Sequence, residues 1–547
     1  MGGSQSKQLQ LHQIIDDIKK TTTVVDENTT SMNLKNSVVN VSSKLLNSII
    51  IQLDGTDSER ICFSLPTSDK WYKQKDSYFK FNSDTLYRSL RIKDQFQFTA
   101  NNDKFDVTIS LNSDFTMFIG NQEEIKDHQL MYYEYYYNYN DEIIDIPSKV
   151  KVIKLSNSFN SDLNLFFKDK LANSNVVSIC LGRDFNHSLE NVKLPPTLES
   201  IRLGDSFNHP IRAGLLPSTV TRLAFGKGFA SYNETVLPVN LKELAFEFHC
   251  DVNQLPQSFL KSIPSTLTSV GSVTPSSLDL LKKQFPSIET ISLTSEIPQN
   301  LENGSIPSTI TELTISAPTN VKPGSIPSSI KRFNLGLGFF SGELNDILPM
   351  DAKYDSLDLG YNRHIMPLVA NSLPLNIKHL RLPSSYNHPL VIGSIPKSVE
   401  SLHLGYEFDQ ELTTGVIPNS VRELTLSGDY TKPLNSGSIP NSVETLHFRT
   451  YNQKIKKNVL PSSIKTVSFS INAFQGNDKK LIESLPVSVQ TILIYEFTQA
   501  KVIVNCRRIE SDRFLMINCQ KRSSIVGGFI SSSSLNDLLI ELSNSEN

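Results

Sequence analysis

One phrase, Pro-x-x-φ-x-x-φ-x-φ with φ apolar, recurs along this chain, and its period governs what the chain can fold into. The clearest copies are PSTVTRLAF (217–225), PKSVESLHL (396–404), PNSVRELTL (418–426) and PNSVETLHF (440–448). Aligning the phrase sets anchors at 147, 173, 195, 217, 238, 264, 285, 307, 327, 351, 374, 396, 418, 440, 461 and 486, most often 22 residues apart. Asn173 and Asp351 replace proline at two anchors, and Pro286 comes one position late at a third. A period in this range means stacked units, each too small to bury its own apolar face.

Each unit reads physically. Proline fixes φ and cannot donate a hydrogen bond, so it precedes a strand. The Ser, Thr or Asn that follows is suited to hydrogen bonds within a local turn. Apolar residues at alternate positions, such as Leu402 and Leu404 or Leu424 and Leu426, then mark a short strand with one buried face. The expectation is a mostly β, α/β-poor solenoid: a parallel array of about sixteen roughly 22-residue repeats with a small α+β N-terminal cap. At 547 residues the chain exceeds what one compact core holds, which suits such an array.

The turn after the strand carries a family resemblance. FNHSL (185–189), FNHPI (207–211) and YNHPL (386–390) lead into elements such as GLLP and GSIP, with FDQEL (408–412) and YTKPL (430–434) as diverged forms. This pattern resembles the FNIP repeat, a relative of leucine-rich repeats, over residues 147–495. The resemblance implies a leucine-rich-repeat-like fold and a protein-binding role. The copies around 226–300 lose the aromatic-Asn turn, so irregular geometry is expected there.

The ends of the chain do not repeat. Gly2 follows Met1 directly and Ser6 stands where an N-myristoylation signal specifies it, which makes Gly2 the expected lipidation site. One acyl chain holds a membrane only weakly. Leu11, Ile14, Ile15 and Ile18 form one face of a helix that either meets lipid beside Lys19 and Lys20 or docks on the protein. The order of apolar pairs from Leu45 to Trp71 resembles a degenerate F-box, which implies short helices and a Skp1-type adaptor as partner. Pro66 and the Thr67, Ser68, Asp69 run depart from that pattern, and a small capping element is the alternative. The Tyr-rich cluster at 131–140 carries Glu134 and acidic flanks, which points to packing on the first repeat rather than to nucleic acid. The expected division is 1–42 tail and linker, 43–146 F-box-like or capping region, 147–495 solenoid, 496–532 C-terminal cap and 533–547 polar tail.

Composition narrows the function. A net charge of −3 gives no reason to expect nucleic acid as a partner. Five scattered cysteines form neither a disulfide framework nor a metal-ligand spacing, so the cytoplasm is the expected location, with Gly2 acylation drawing the chain to a cytoplasmic membrane surface such as the inner face of the plasma membrane. No cofactor or catalytic signature is found: Gly336 to Gly342 lacks phosphate-loop spacing, and His187, His209 and His388 share one turn position in separate repeats. Binding is expected on the polar strand face, through Arg381, His403, Thr425 and His447 between the last two apolar positions, with Arg422 in a sign-alternating row that also holds Lys378, Glu400, Glu444 and Lys465. Two functions follow as expectations. One is a non-enzymatic protein-interaction scaffold with unidentified protein partners and weak membrane association; the other is a substrate-recruiting F-box-type subunit of a ubiquitin ligase.

Overall fold

A computed structural model of the chain describes residues 146–544 except 149, 317, 340–342, 362–365, 452, 476–480, 497–501 and 519–523; before residue 146 it describes Asn121 and strand backbone between residues 32 and 138. The chain divides into two units, 1–111 with 516–529, and 112–515 with 530–547.

In the first unit Ile50–Leu53, Arg60–Pro66, Lys104–Ser110 and Phe96–Ala100 pair antiparallel in that order. Ser77–Asn82 pairs antiparallel with Ser37–Asn40 and with the segment from Ser524. The described backbone between 50 and 66 is therefore extended where the F-box resemblance implies helices. The residues explain the difference: Ile49 to Leu53 holds three β-branched residues, and Ile61, Phe63 and Leu65 stand at alternate positions, patterns that suit strands. Gly2, the 11–18 helix face and Trp71 lie outside the described residues.

The second unit holds the repeats. Sixteen short strands, from Val150–Leu155 to Thr491–Tyr495, pair in parallel, each with the next. Every pairing joins the positions five residues past the anchor, as Val152 with Ser178, Ser401 with Glu423, and Thr466 with Thr491, and three pairings shift register further along, at Cys250, Val273 and Arg449. A one-residue slip would turn every buried side chain to solvent, so the apolar pattern itself sets the register. The third and sixth residues past the anchor form two unbroken buried columns, the sixth running from Ile153 through Leu223, Leu313 and Leu402 to Ile492. This is the solenoid expected from the sequence.

Two earlier strands extend the ladder. Phe115–Gly120 pairs parallel with Val150–Leu155, and Tyr135–Asn138, from the Tyr-rich cluster, pairs parallel with Phe115–Gly120. At the other end Val502–Glu510 turns back antiparallel on Thr491–Tyr495. Where the sequence shows a polar tail, Ser532–Asn544 is helical. Its Leu535 and Leu539 are fully buried, and the Asn536 side chain accepts from the Ile482 N–H at 3.4 Å. The sequence already shows a short apolar helix-like turn from Leu535 to Leu542 in this stretch, and its i, i+4 leucine pair is what the packing uses.

The details of the repeat show what each conserved letter does. The carbonyl of the turn proline accepts the N–H three residues on, as from Val220 to Pro217 at 3.0 Å and from Val399 to Pro396 at 3.1 Å. At anchor 351 this turn begins two residues early, at Pro349, with the Ala352 N–H as donor. The hydroxyls two residues past the anchor do not serve local turns. Thr219 donates to the Leu198 carbonyl and Ser442 to the Val421 carbonyl, each 2.7 Å away in the preceding repeat. The expectation of local turn bonds is corrected for these hydroxyls: the carbonyls they bond belong to the neighbouring repeat. The glycine nine past the anchor allows close approach, since a Cβ on Gly204 or Gly405 would overlap the carbonyl oxygen of Gly182 or Pro383.

The aromatic-Asn turn is a second ladder. Phe159, Phe185, Phe207 and Phe229 stack with centroids 6.2–6.3 Å apart, and Tyr386, Phe408 and Tyr430 stack at 6.3–6.4 Å. The adjoining Asn caps the next repeat: Asn160 Oδ1 accepts from the Asn186 N–H at 3.0 Å, and Asn186 Oδ1 from the Asn208 N–H at 3.1 Å. Between 231 and 347 this ladder is absent among the described residues. Short helices such as Gln257–Ser262 and Leu278–Gln284, and the two-stranded parallel sheet of Gln299–Leu301 with Thr319–Val321, fill the space with Phe259, Leu281 and Leu301.

Candidate functional site

Residues five and seven past each anchor point away from the buried columns, because side chains alternate along a strand. On the last third of the ladder this face is polar and built across repeats. Ser401 Oγ donates to Glu423 at 3.0 Å, Glu423 meets His447 Nε2 at 3.0 Å, and His447 Nδ1 lies 2.7 Å from Ser468 Oγ. Four consecutive repeats are tied by one chain of hydrogen bonds. The bond from His447, reinforced by Ser401, holds the Glu423 carboxyl down at about 2.

A hydroxyl, an imidazole and a carboxylate in sequence have the connectivity of a hydrolytic triad. Ser468 is 3% exposed, however, so no substrate carbonyl reaches its oxygen. The chain is a tie between strands. The thiols are no better placed for chemistry: burial raises the Cys180 thiol and pushes Cys250 up to about 12, away from the reactive thiolate.

A second cluster lies beside it. Arg449 Nη2 donates to His403 Nε2 at 2.7 Å, reaching back over the Thr425 strand between them. Burial pushes His403 down to about 4, with Arg449 and Arg381 adding to the effect, so the imidazole is neutral at pH 7. Burial, and then Arg381, also lowers the Arg449 guanidinium. Arg381 stands 3.7 Å from Asp358 at a cleft of about 360 Å³ that it shares with Asn334, Leu337 and Tyr361.

The five expected binding residues therefore separate. Arg381 and His403 come together. Thr425 lies between them and His447, which is held by Glu423 and Ser468. Arg422 belongs to another row, one residue before the strand. There the alternating charges pair, Arg422 with Glu444 at 3.2 Å and Lys465 with the same Glu444 at 3.3 Å. Arg449 was missed because it falls outside the phrase. The signal was nonetheless present: nine past the anchor, where Gly182, Gly204, Gly226, Gly336, Gly360 and Gly405 stand, this repeat has arginine. Its φ is +53°, matching Gly336 at +51° and Gly360 at +67°.

The turn histidines have a structural role. His187 and His209 hydrogen-bond the backbone oxygens of Asn160 and Asn186, each at 3.2 Å. Gly336 sits in a post-strand turn, its N–H donating to Asn334 Oδ1 at 2.9 Å.

The FNIP Repeat family matches residues 185–228, 361–407, 386–429 and 430–471, spans that contain the aromatic-Asn turns. The chain carries FNIP repeats. The FNIP repeats form a leucine-rich-repeat-like array of short parallel strands. Among solved structures, the chain is similar to CroV588, described as a novel circular leucine-rich-repeat protein. The two are 23% identical over 64% of this chain and 56% of that one, with a TM-score of 0.40. The chain thus matches little more than half the length of that protein. Among curated proteins none matches.

Proposed function

We propose that this FNIP-repeat protein is a non-enzymatic scaffold that binds protein partners on the solvent face of its strand ladder between Arg381 and Arg449. The observation that carries the reading is that this face holds polar side chains positioned across repeats rather than within them. Arg449 meets His403 and His447 meets both Glu423 and Ser468, so the surface is preorganised by the fold beneath it. Repeat arrays provide such extended rigid surfaces. Acylation at Gly2 would add weak membrane attachment at a cytoplasmic membrane surface, and mass spectrometry of the N-terminal peptide tests that element directly. A Skp1-type adaptor at Leu45 to Trp71 is the weaker alternative, because the described strands there differ from the helices that module uses.

A photo-crosslinking residue in place of Thr425 tests the scaffold reading in cell extract, with one in place of the exposed Lys261 as control. Discrete protein adducts at 425 and none at 261 support it. Adducts at neither position, or equally at both, overturn it.

A further inference from the structure

Six of the sixteen repeats carry glycine nine residues past the anchor, where the backbone of the preceding repeat comes close, and the repeat at anchor 440 carries there one of the largest side chains. Arg449 adopts a φ of +53° and shifts the strand register between His447 and itself. A non-glycine residue in this region is strained, and such strain persists where the surroundings hold it in place. Its charge is also uncompensated. Among the described residues no carboxylate pairs with Arg449; its hydrogen-bond partner is the neutral His403. The nearby acids are engaged elsewhere, Asp358 beside Arg381 and Glu423 with His447 and Ser401. Two guanidiniums thus stand on one face, and the carboxylate that pairs with Arg381 lies on the strand away from Arg449.

Aromatic surface flanks the two arginines. Ten residues past their anchors, Leu337, Tyr361 and Tyr406 are 52%, 63% and 40% exposed. Tyr361 shares the cleft with Arg381, and the Tyr406 ring lies over Gly428, near Arg449. Arginine and tyrosine are the residues that dominate protein interfaces, since they combine apolar area with directed donors.

We propose that Arg381 and Arg449, with Tyr361 and Tyr406, form a recognition site for an acidic peptide segment of a partner protein. The inference rests on the scaffold reading and names the chemistry of its partner. One guanidinium, Arg449, is held open by His403 and offers its remaining N–H groups to a carboxylate in a forked geometry. Arg381 takes a second carboxylate, and the aromatic rings cover the peptide's apolar side chains. Charge complementarity selects an acidic chain over a basic one.

The test is fluorescence anisotropy of the full chain with a fluorescein-labelled peptide of alternating glutamate and leucine, and with its lysine–leucine counterpart. The expected result is saturable binding of the acidic peptide alone, weakened by added salt. Arg449→Gln and Arg381→Gln should each weaken it at least tenfold, while Arg212→Gln, whose side chain pairs with Glu190 and Glu234 away from the strand face, leaves it unchanged. Circular-dichroism melts show that each variant is folded, and Arg449→Lys is the backup should Arg449→Gln fail to fold, with the same loss expected because lysine lacks the fork. Binding unaffected by both arginine changes overturns the proposal, as does no binding of the acidic peptide. Displacement by inorganic phosphate at concentrations where sulfate has no effect assigns the site to a phosphate group and overturns the peptide. Adducts at position 425 without any role for Arg449 sink this inference and leave the scaffold intact.

Discussion

The repeats from 374 to 451 and those from 231 to 347 share one strand ladder but return the chain in different ways. In the first group the return is an aromatic-Asn turn: Tyr386, Phe408 and Tyr430 stack, and Asn387 Oδ1 accepts from the Asp409 N–H at 2.9 Å. In the second group short helices and a small second sheet take over, and buried Leu281, Leu301, Val321 and Ile347 fill the place of the rings. The strand columns do not register the change; Leu313 and Leu402 are equally buried. Register is imposed by the strands, then, and the return segment need only supply apolar volume and satisfied backbone groups. The polar clusters described above centre on the first group, reaching Asp358 before it and Ser468 after it.

The comparison can be broken at several points. The largest effect is expected from Leu402→Asp, which buries a charge in the shared column and should cost on the order of 4 kcal/mol or more. Leu313→Asp should cost as much, and a thermal melt in which only one of the pair destabilises would show that the column is not continuous. Phe408→Ala removes one ring from the stack and should cost about 3–5 kcal/mol. A loss below about 1 kcal/mol in urea titration would mean the aromatic ladder closes up as readily as the middle copies do without it.

Acidification should also separate the regions. His403 is held down at about 4, so the unfolded chain takes up its proton first, and stability contributed by the neutral ring is lost as pH falls from about 6.5 toward 4. The full effect is at most about 3 kcal/mol. Glu423, held at about 2, adds a loss that begins near its ordinary range and runs to lower pH. Hydrogen exchange at pH 7, 5.5 and 4.5 should therefore show Ser401–His403 opening first, and His403→Gln should abolish the upper window. Exchange that is insensitive to pH in the wild type would remove the neutral imidazole from the argument.

Smaller effects test the backbone. Gly405→Ala collides with the Pro383 carbonyl and should cost about 1–3 kcal/mol, whereas Gly271→Ala, which meets only the Ala245 side chain at 3.4 Å, should fall within about 0.5 kcal/mol of wild type. Equal losses would show that close approach does not explain the glycine column. Asn387→Ala leaves the Asp409 N–H to water and should cost about 0.5–1 kcal/mol by the same melts.

The candidate site was only partly legible. Arg381 and His403 follow from alternation along a strand, because a period of two tells which residues face outward. Arg422 and His447 were equally outward in the sequence, yet their charges and hydrogen bonds are spent on Glu444, Glu423 and Ser468, partners about 22 residues away. Spacing along the chain does not say which of two neighbouring repeats a long side chain will lean toward. Arg449 required the positive φ that lets it reach back to His403.

By itself the sequence determined the repeat, its sixteen anchors, the parallel register and the two buried columns, because each is a local pattern multiplied by stacking. It also marked, around 226–300, much of the stretch where the aromatic-Asn turn fails. The tertiary structure alone decided what replaces that turn, since volume filled by Phe259 or Leu301 can be reached by a helix or a strand. It alone decided that the hydroxyls after the prolines bind the preceding repeat, and that an arginine at a position where six other repeats have glycine is left without an acid. Those outcomes depend on which atoms of different repeats come within 3 Å, and such distances are set only once the ladder has closed.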